Sequence, residues 1–280
     1  MWSKRMVTFN ALASAGLYRL PDGEWTLHSR FSQAINFIHA GGKLLTLYRY
    51  GKGMGPSGVL LPDDAFSRCI QLEKMVKRDA RLYGRGIILQ PLRQLALRLT
   101  PGDLQPVNLT LFSSPTGLGG PLKQAVASLS LYPQIAAQLA RWRDGYAPDW
   151  HWLIGRGPGL TPSGDDLLTG MMAVFHAAEK PMPLFLPPAD QLVFLTTSVS
   201  CSYLNSARVG EFSTPVLKVI RRLQSGRSPQ SAIRRLLAVG HTSGADILLG
   251  IAIAQRWLQA VDFKGNHAGS GNHSYIYPRC

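Results

Sequence analysis

The chain has 280 residues, is 45% hydrophobic, and sets 30 basic against 16 acidic side chains for a formal net charge of +14. That is enough for one large domain or two small ones with real cores, and the charge favours anionic partners without choosing among phosphorylated metabolites, carboxylates, nucleic acid and acidic proteins. Three distant cysteines (Cys69, Cys201, Cys280) make neither a metal spacing nor a disulfide framework and fit a reducing cytoplasm, and no apolar run reaches transmembrane length.

Residues 1–19 read as an N-terminal segment. Met1-Trp-Ser-Lys-Arg, a mildly apolar stretch and Ala13-Ser-Ala15 have a faint secretory look, but Thr8 and Asn10 interrupt the short apolar part, so an ordinary N-terminus is expected.

Residues 20–118 predict a β-rich domain. Trp25-Thr-Leu-His-Ser, Ala34-Ile-Asn-Phe-Ile-His, Lys43-Leu-Leu-Thr-Leu-Tyr-Arg, Gly58-Val-Leu-Leu, Gly86-Ile-Ile-Leu and Leu95-Ala-Leu-Arg-Leu are short runs, mostly divided by Gly, Pro or Asp. Lys52-Gly-Met-Gly-Pro-Ser-Gly reads as a turn, and Pro62-Asp-Asp-Ala-Phe as a helix start. A barrel or a folded sheet fits these elements.

The period then changes. Residues 119–262 predict a helical domain, with helical spacing over 122–142, 167–176, 191–208, 214–223, 231–239 and 247–261 and a proline-rich break at 181–188. Residues 263–280 are polar and glycine-rich and predict a disordered tail. The expected fold class is α+β.

Two of these helices open on nearly the same words. Gly159-Leu-Thr-Pro-Ser-Gly-Asp-Asp-Leu-Leu-Thr-Gly170 and Gly240-His-Thr-Ser-Gly-Ala-Asp-Ile-Leu-Leu-Gly250 share one frame once Pro162 is removed. Ser163 to Asp166 and Ser243 to Asp246 have capping-box spacing, so two capped helices are one reading. An anion site is the other. Glycine is a poor helix former, and Gly164 and Gly244 make sense if something must approach the backbone closely. Gly155-Arg156-Gly157-Pro-Gly159 can aim N–H groups and a guanidinium at an anion. Thr161 and Thr242 can donate to phosphate or carboxylate oxygens, and Gly170 and Gly250 would let two helices approach closely.

The candidate catalytic residues are Asp166, His241 and Asp246. The candidate substrate- or phosphate-binding residues are Gly155, Arg156, Gly157, Gly159, Thr161, Ser163, Gly164, Ser200, Thr242, Ser243 and Gly244. No protein metal site is expected, although Asp165 and Asp166 have a chemistry that suits Mg²⁺ beside a phosphate. Helix-start acidity explains Asp165 as well. No P-loop, dinucleotide fingerprint, zinc pattern or Ser-His-Asp arrangement is present. In the small, hydroxylated stretch between the motifs, most residues suit packing, and Ser200 and Tyr203 stand out as candidates for a polar cleft.

Gly155-x-Gly-Pro-Gly-Leu-Thr-Pro-Ser-Gly-Asp-Asp, Ser200-x-Ser-Tyr-Leu and Gly240-His-Thr-Ser-Gly-Ala-Asp-x-Leu-Leu-Gly together resemble a bacterial family long classed as a domain of unknown function. Ala34-Ile-Asn-Phe, Leu44-Leu-Thr-Leu and Gly53-Met-Gly-Pro-Ser-Gly resemble it as well, so the likeness runs from about residue 20 to 260. The family includes the third, AllH-like, subunit of the oxamate carbamoyltransferase of anaerobic allantoin degradation. The resemblance implies a part in the reversible reaction of oxalurate with phosphate to oxamate and carbamoyl phosphate. It also implies two other carbamoyltransferase subunits as partners, and a carbamate kinase as the next step. The Ser-Thr-Arg-Thr and His-Pro-x-Gln motifs of ordinary carbamoyltransferases do not occur, so a shared reaction would use a different site or a partner's.

Carbamoyl transfer needs anion clamps and donors to a carbonyl oxygen that gains charge, and positioning alone supplies much of the acceleration. Small anions (carbamoyl phosphate, oxamate, phosphate) are the expected ligands, with no cofactor and no membrane. A non-catalytic anion-binding or scaffolding subunit is the alternative. A basic nucleic-acid-binding protein ranks third, because Arg49, Arg81, Arg85, Arg93, Arg141, Arg221, Arg222, Arg234 and Arg235 are scattered and no recognised module is evident.

Overall fold

The computed structural model describes residues 6–180 and 182–265. Nine strands come first: β1 (Val7–Ala11), β2 (Ala13–Ala15), β3 (Gly23–Arg30), β4 (Ala34–His39), β5 (Leu44–Arg49), β6 (Gly58–Leu61), β7 (Lys74–Arg78), β8 (Arg81–Gly84) and β9 (Ile87–Pro91), with α1 (Asp63–Cys69) between β6 and β7. The helical part follows as α2 (Tyr132–Arg143), α3 (Ser163–Ala177), α4 (Ala189–Leu192), α5 (Ser198–Arg208), α6 (Thr214–Gln224), α7 (Gln230–Leu237) and α8 (Ser243–Gly265). The fold is α+β, as the change of period predicts. Among the described residues no helix is long and apolar enough to cross a membrane.

The strands form one sheet in the order β1-β9-β8-β7-β3-β4-β5-β6-β2. The segment read as an ordinary N-terminus supplies both ends of it. β1 pairs parallel with β9 at one edge, and β2 pairs antiparallel with β6 at the other. Leu12 lies between them and donates to Leu60 O at 2.8 Å, while Leu92 donates to Ala11 O at 2.9 Å. One continuous stretch thus nearly closes the sheet into a barrel, which protects its edges. Its short alternating strands carried no strong sequence signal. Trp25, Ile35, Phe37, Leu45, Leu47, Val59 and Leu82 fill the interior, and Phe66 and Cys69 of α1 pack against them. Burial pushes the Cys69 thiol up to about 12.

The expected strand at 95–99 does not form. Its alternation is real, with Leu97 and Leu99 buried, but its partner is the loop between α5 and α6: Leu99 donates to Gly210 O, and Phe212 donates to Leu97 O. The helical pattern over 122–142 yields only α2, which has Pro133 in its first turn, after a single 3-10 turn at Val126–Ser128. The pattern over 191–208 splits into α4 and α5. There Thr197 caps α5 by accepting from the Ser200 N–H at 3.0 Å. α8 runs through residues 263–265 of the expected disordered tail, and the rest of that tail, from 266, lies outside the described residues.

α3 is the central helix of the second part. Every residue in it except His176 is buried, the pattern of a helix enclosed on all sides. The barrel docks on this part through the Gly53-Met-Gly turn, where Met54 and Thr214 exchange two hydrogen bonds, and through Arg19, whose guanidinium meets both Glu211 oxygens at 2.6 and 2.5 Å.

Candidate functional site

The two similar motifs face each other in space. A Cβ on Gly170 would stand 2.0 Å from Ile247 O, and a Cβ on Gly250 would stand 2.0 Å from Leu167 O. Each glycine therefore admits the other helix's backbone, and α3 and α8 cross with their first turns side by side. The reciprocity continues at the helix starts. The Ser163 hydroxyl stands beside the Asp246 carboxyl and favours its ionised form, and Ser243 does the same for Asp166. Thr161 Oγ1 lies 2.9 Å from Ser243 Oγ. The repeated words are two halves of one pseudo-twofold junction.

The capping-box reading is corrected by this geometry. Pro162 is the N-cap of α3, with no side-chain cap bond, and Ser163 is already helical. Its hydroxyl reaches across to the other motif instead of back to its own helix. Gly164 and Gly244 also have a local reason. Each would bring a Cβ to 1.9 Å from a carbonyl of the preceding segment, Leu153 O and Leu236 O respectively. Their amides are engaged as well: Gly164 donates to Arg156 O at 3.0 Å, and Gly244 to Val239 O at 3.2 Å. What approaches these glycines is the chain's own backbone.

Asp166 and Asp246 lie at the centre of the junction. Both are buried, and each keeps one carboxylate oxygen, Oδ2, without a hydrogen-bond partner. Burial raises both above the ordinary carboxylate range. Asp166 is raised strongly, and the Asp246 charge adds to the effect. The pair is not symmetric. The Gly117 amide donates to Asp246 Oδ1 at 2.9 Å and favours its ionised form, and no backbone amide does this for Asp166. The Gly117 amide thus favours a charge on Asp246 over a charge on Asp166.

Asp165 has different work. It accepts from the Gly155 amide at 2.9 Å and from the Thr196 hydroxyl, and the Ser200 hydroxyl also favours its ionised form. Burial still raises it. Asp165 pins the Gly155 loop to the start of α5, and the buried Ser200 belongs to that anchor. Among the described residues no group of three or more His, Cys, Asp or Glu side chains is clustered as metal ligands.

The other sequence candidates lie nearer the surface. Arg156, Gly157, Gly159 and His241 are exposed, and Thr161, Thr242 and Ser243 are half-buried. Gly157 lies against the Ser163 amide, where a Cβ would come within 2.8 Å. Arg156 makes no ion pair among the described residues.

Several residues of the site, Tyr203 apart, have no sequence signal in their own neighbourhood. Gly117 sits in Pro115-Thr-Gly-Leu-Gly-Gly-Pro121, a loop closed by Thr116 onto Gly120 O. Its glycine and proline content marks a loop, but not which amide is aimed at an acid. The barrel contributes a polar chain. His28 lies at a β-bulge in β3, a feature that re-aims side chains. Its Nε2 is 2.8 Å from Ser198 Oγ on α5, and its Nδ1 is 3.0 Å from Ser29 Oγ. Asn36 donates to Ser29 Oγ and accepts from Thr46, both at 2.8 Å. Tyr48 and Tyr203 share a hydrogen bond of 2.7 Å, with Gly55 packed on both hydroxyls. Burial raises both phenols, and the Asp166 charge adds to the rise at Tyr203. The barrel wall is thus linked to α5, which packs against α3.

Two family models match the chain. One, described as oxamate carbamoyltransferase subunit AllH, covers residues 153–255, and the other, described as the AllH family N-terminal domain, covers residues 6–100. No solved structure matches the chain.

Proposed function

The chain belongs to the AllH family of oxamate carbamoyltransferase subunits, and on that premise we propose that it takes part in carbamoyl transfer between oxalurate and phosphate, with the α3–α8 junction in or beside the reacting site. The family description as a subunit implies a multi-subunit enzyme. In this reading two different partner subunits complete it, in the cytoplasm, during allantoin and purine breakdown.

The reaction sets clear demands. A phosphate oxygen bonds to the carbamoyl carbon of oxalurate, the bond from that carbon to the amide nitrogen breaks, and the nitrogen takes a proton as oxamate leaves. Carbamoyl phosphate is the other product. Both substrates are anions, so a cationic rim with hydroxyl donors is needed. Arg156, Thr161, Thr242 and His241 supply that rim. Behind it, burial opposes the charge on Asp166, next to the half-buried hydroxyls of Thr161 and Ser243. The observation that carries the reading is this convergence of both motifs on one junction, with Thr161 2.9 Å from Ser243. No cofactor enters the reaction as written.

The alternative is a non-catalytic subunit that binds anions or holds its partners together. It is favoured by the engagement of the Gly164 and Gly244 amides with the chain's own carbonyls. One experiment separates the two. The purified chain is combined with its two partner subunits, and carbamoyl phosphate formation from oxalurate and phosphate is measured for the parent and for Arg156→Gln. A fall in turnover or a rise in KM with the complex still assembled supports the site. Full activity in the variant supports the scaffold. Failure of all combinations to form carbamoyl phosphate removes the reaction itself.

A further inference from the structure

We propose that the cleft between α6 and α7 binds a small anion carrying two or more phosphate groups, at a place separate from the α3–α8 junction and independent of the carbamoyl-transfer reading. The cleft has a volume of about 380 Å³, inside the ~300–1,000 Å³ span of small-molecule sites. Lys218, Arg221, Arg222, Arg227 and Arg235 line it, with no carboxylate among the lining residues. None of these five cations joins an ion pair among the described residues.

Such a cluster is unfavourable when empty. Lys218 and Arg222 are four residues apart on α6, so they stand on one face and repel. Basic residues in a last helical turn suit the helix dipole, which accounts for Arg221, Arg222 and Arg235 singly. It does not account for Lys218, in the middle of α6, or Arg227, in the connecting turn, facing the same cleft.

A second feature converges there. Ser231 and Ala232, in the first turn of α7, line the cleft as well. The first α7 amide with a backbone acceptor is that of Ile233, which donates to Pro229 O at 2.9 Å. The amides of Gln230, Ser231 and Ala232 have none among the described residues. A helix N-terminus, two hydroxyls (Ser225 and Ser231) and four guanidinium groups therefore meet around one concavity. Guanidinium forks match phosphoryl oxygens in pairs, and free helix amides add donors of the same sign. A cleft holds a compact ligand; a nucleic-acid strand would need a groove with bases stacked on aromatic rings, and the lining contains no aromatic residue.

The test titrates the intact chain with orthophosphate, pyrophosphate and tripolyphosphate by calorimetry at constant ionic strength. Affinity should rise by ~10-fold or more from one phosphate to three, as each added group engages another fork. The Arg222→Gln/Arg235→Gln double variant should lose ~10-fold or more of the tripolyphosphate affinity, and Arg222→Lys a smaller part, because it keeps the charge but not the fork. An Arg81→Gln/Arg85→Gln variant on the barrel, which removes the same net charge, should bind like the parent. Equal affinity for the three anions overturns the proposal. So does an equal loss in the two double variants, which would make the effect one of overall charge. A single-stranded oligonucleotide that displaces tripolyphosphate, and binds more tightly as it lengthens, would assign the surface to nucleic acid and also overturn it.

Discussion

The Gly117 amide donates to Asp246 Oδ1 at 2.9 Å across 129 residues of chain, and Asp166 receives no such amide. This one contact favours a charge on Asp246 over a charge on Asp166. Replacing Asp166 with Asn keeps the shape and removes a carboxyl whose ionisation folding opposes, so the variant should be at least as stable as the parent at pH 7. Replacing Asp246 with Ala strands the Gly117 amide and should cost ~1–3 kcal/mol. Urea unfolding of both variants checks this. A loss in Asp166→Asn equal to that in Asp246→Ala would mean that folding does not oppose the Asp166 charge.

The same carboxyls set a pH dependence. Their pKa values are raised in the folded protein, so above the ordinary carboxylate value, ~3.9, the unfolded chain releases protons that the folded chain keeps. The folded state then binds more protons, and this contribution to stability falls as pH rises until Asp165, Asp166 and Asp246 ionise in the folded state. Unfolding midpoints measured from pH 4 to pH 8 should show a fall that is shallower in Asp166→Asn. An unchanged slope in that variant would place the raised carboxyls elsewhere.

The glycine pair at the helix crossing predicts matched effects. Gly170→Ala and Gly250→Ala each drive a Cβ into a facing carbonyl, and overpacking of this kind costs ~1–3 kcal/mol or more. The two losses should be similar because the contacts are reciprocal. Gly41→Ala, whose nearest neighbour would be the His39 ring at 3.4 Å, should stay within ~0.5 kcal/mol of the parent. Thermal unfolding in one buffer compares all three. Harmless changes at both crossing positions would mean that the helices are farther apart than described.

The repetition of Gly, Ser and Asp, the helical spacing beyond it and the glycines four residues past each acid made the facing helices legible in the sequence. The partners of these residues were not. A Ser-x-x-Asp spacing fits a capping box equally well, because local spacing cannot tell whether a hydroxyl turns back to its own helix or crosses to another. Pro162 decides the matter by occupying the cap position. The barrel was legible from its alternating strands, whereas its closure by residues 7–15 was not, because three to five small or mixed residues read as strand only when both edges wait for them. The His28 bulge and the Tyr48–Tyr203 pair depend on contacts 155 residues or more apart, which no window of sequence contains.

The tyrosine pair gives a test of how the barrel and the helices cooperate. Removing either hydroxyl leaves the other buried without its partner, so Tyr48→Phe and Tyr203→Phe should each cost ~1 kcal/mol. The double variant should cost less than the two together, since both halves of one hydrogen bond are then gone. A double-mutant cycle in urea measures the coupling. Simple additivity would show that the 2.7 Å contact carries no energy between the two parts.

Arg156 separates binding from folding most cleanly. Its guanidinium is exposed and makes no ion pair among the described residues, while its backbone carbonyl, which accepts from Gly164, survives any side-chain change. Arg156→Gln should therefore leave the melting temperature of the free chain almost unchanged, within the ~0.5 kcal/mol typical of surface substitutions. The parent should melt higher in carbamoyl phosphate or oxamate, because a ligand of the native state stabilises it by mass action. That rise should shrink in Arg156→Gln and be partly kept in Arg156→Lys, which retains the charge without the two-pronged fork. Full retention of the rise in the glutamine variant would remove Arg156 from the rim and shift anion binding onto His241 and the threonine hydroxyls. A parent chain that shows no rise, alone or with its partner subunits, would place the anion site on a partner.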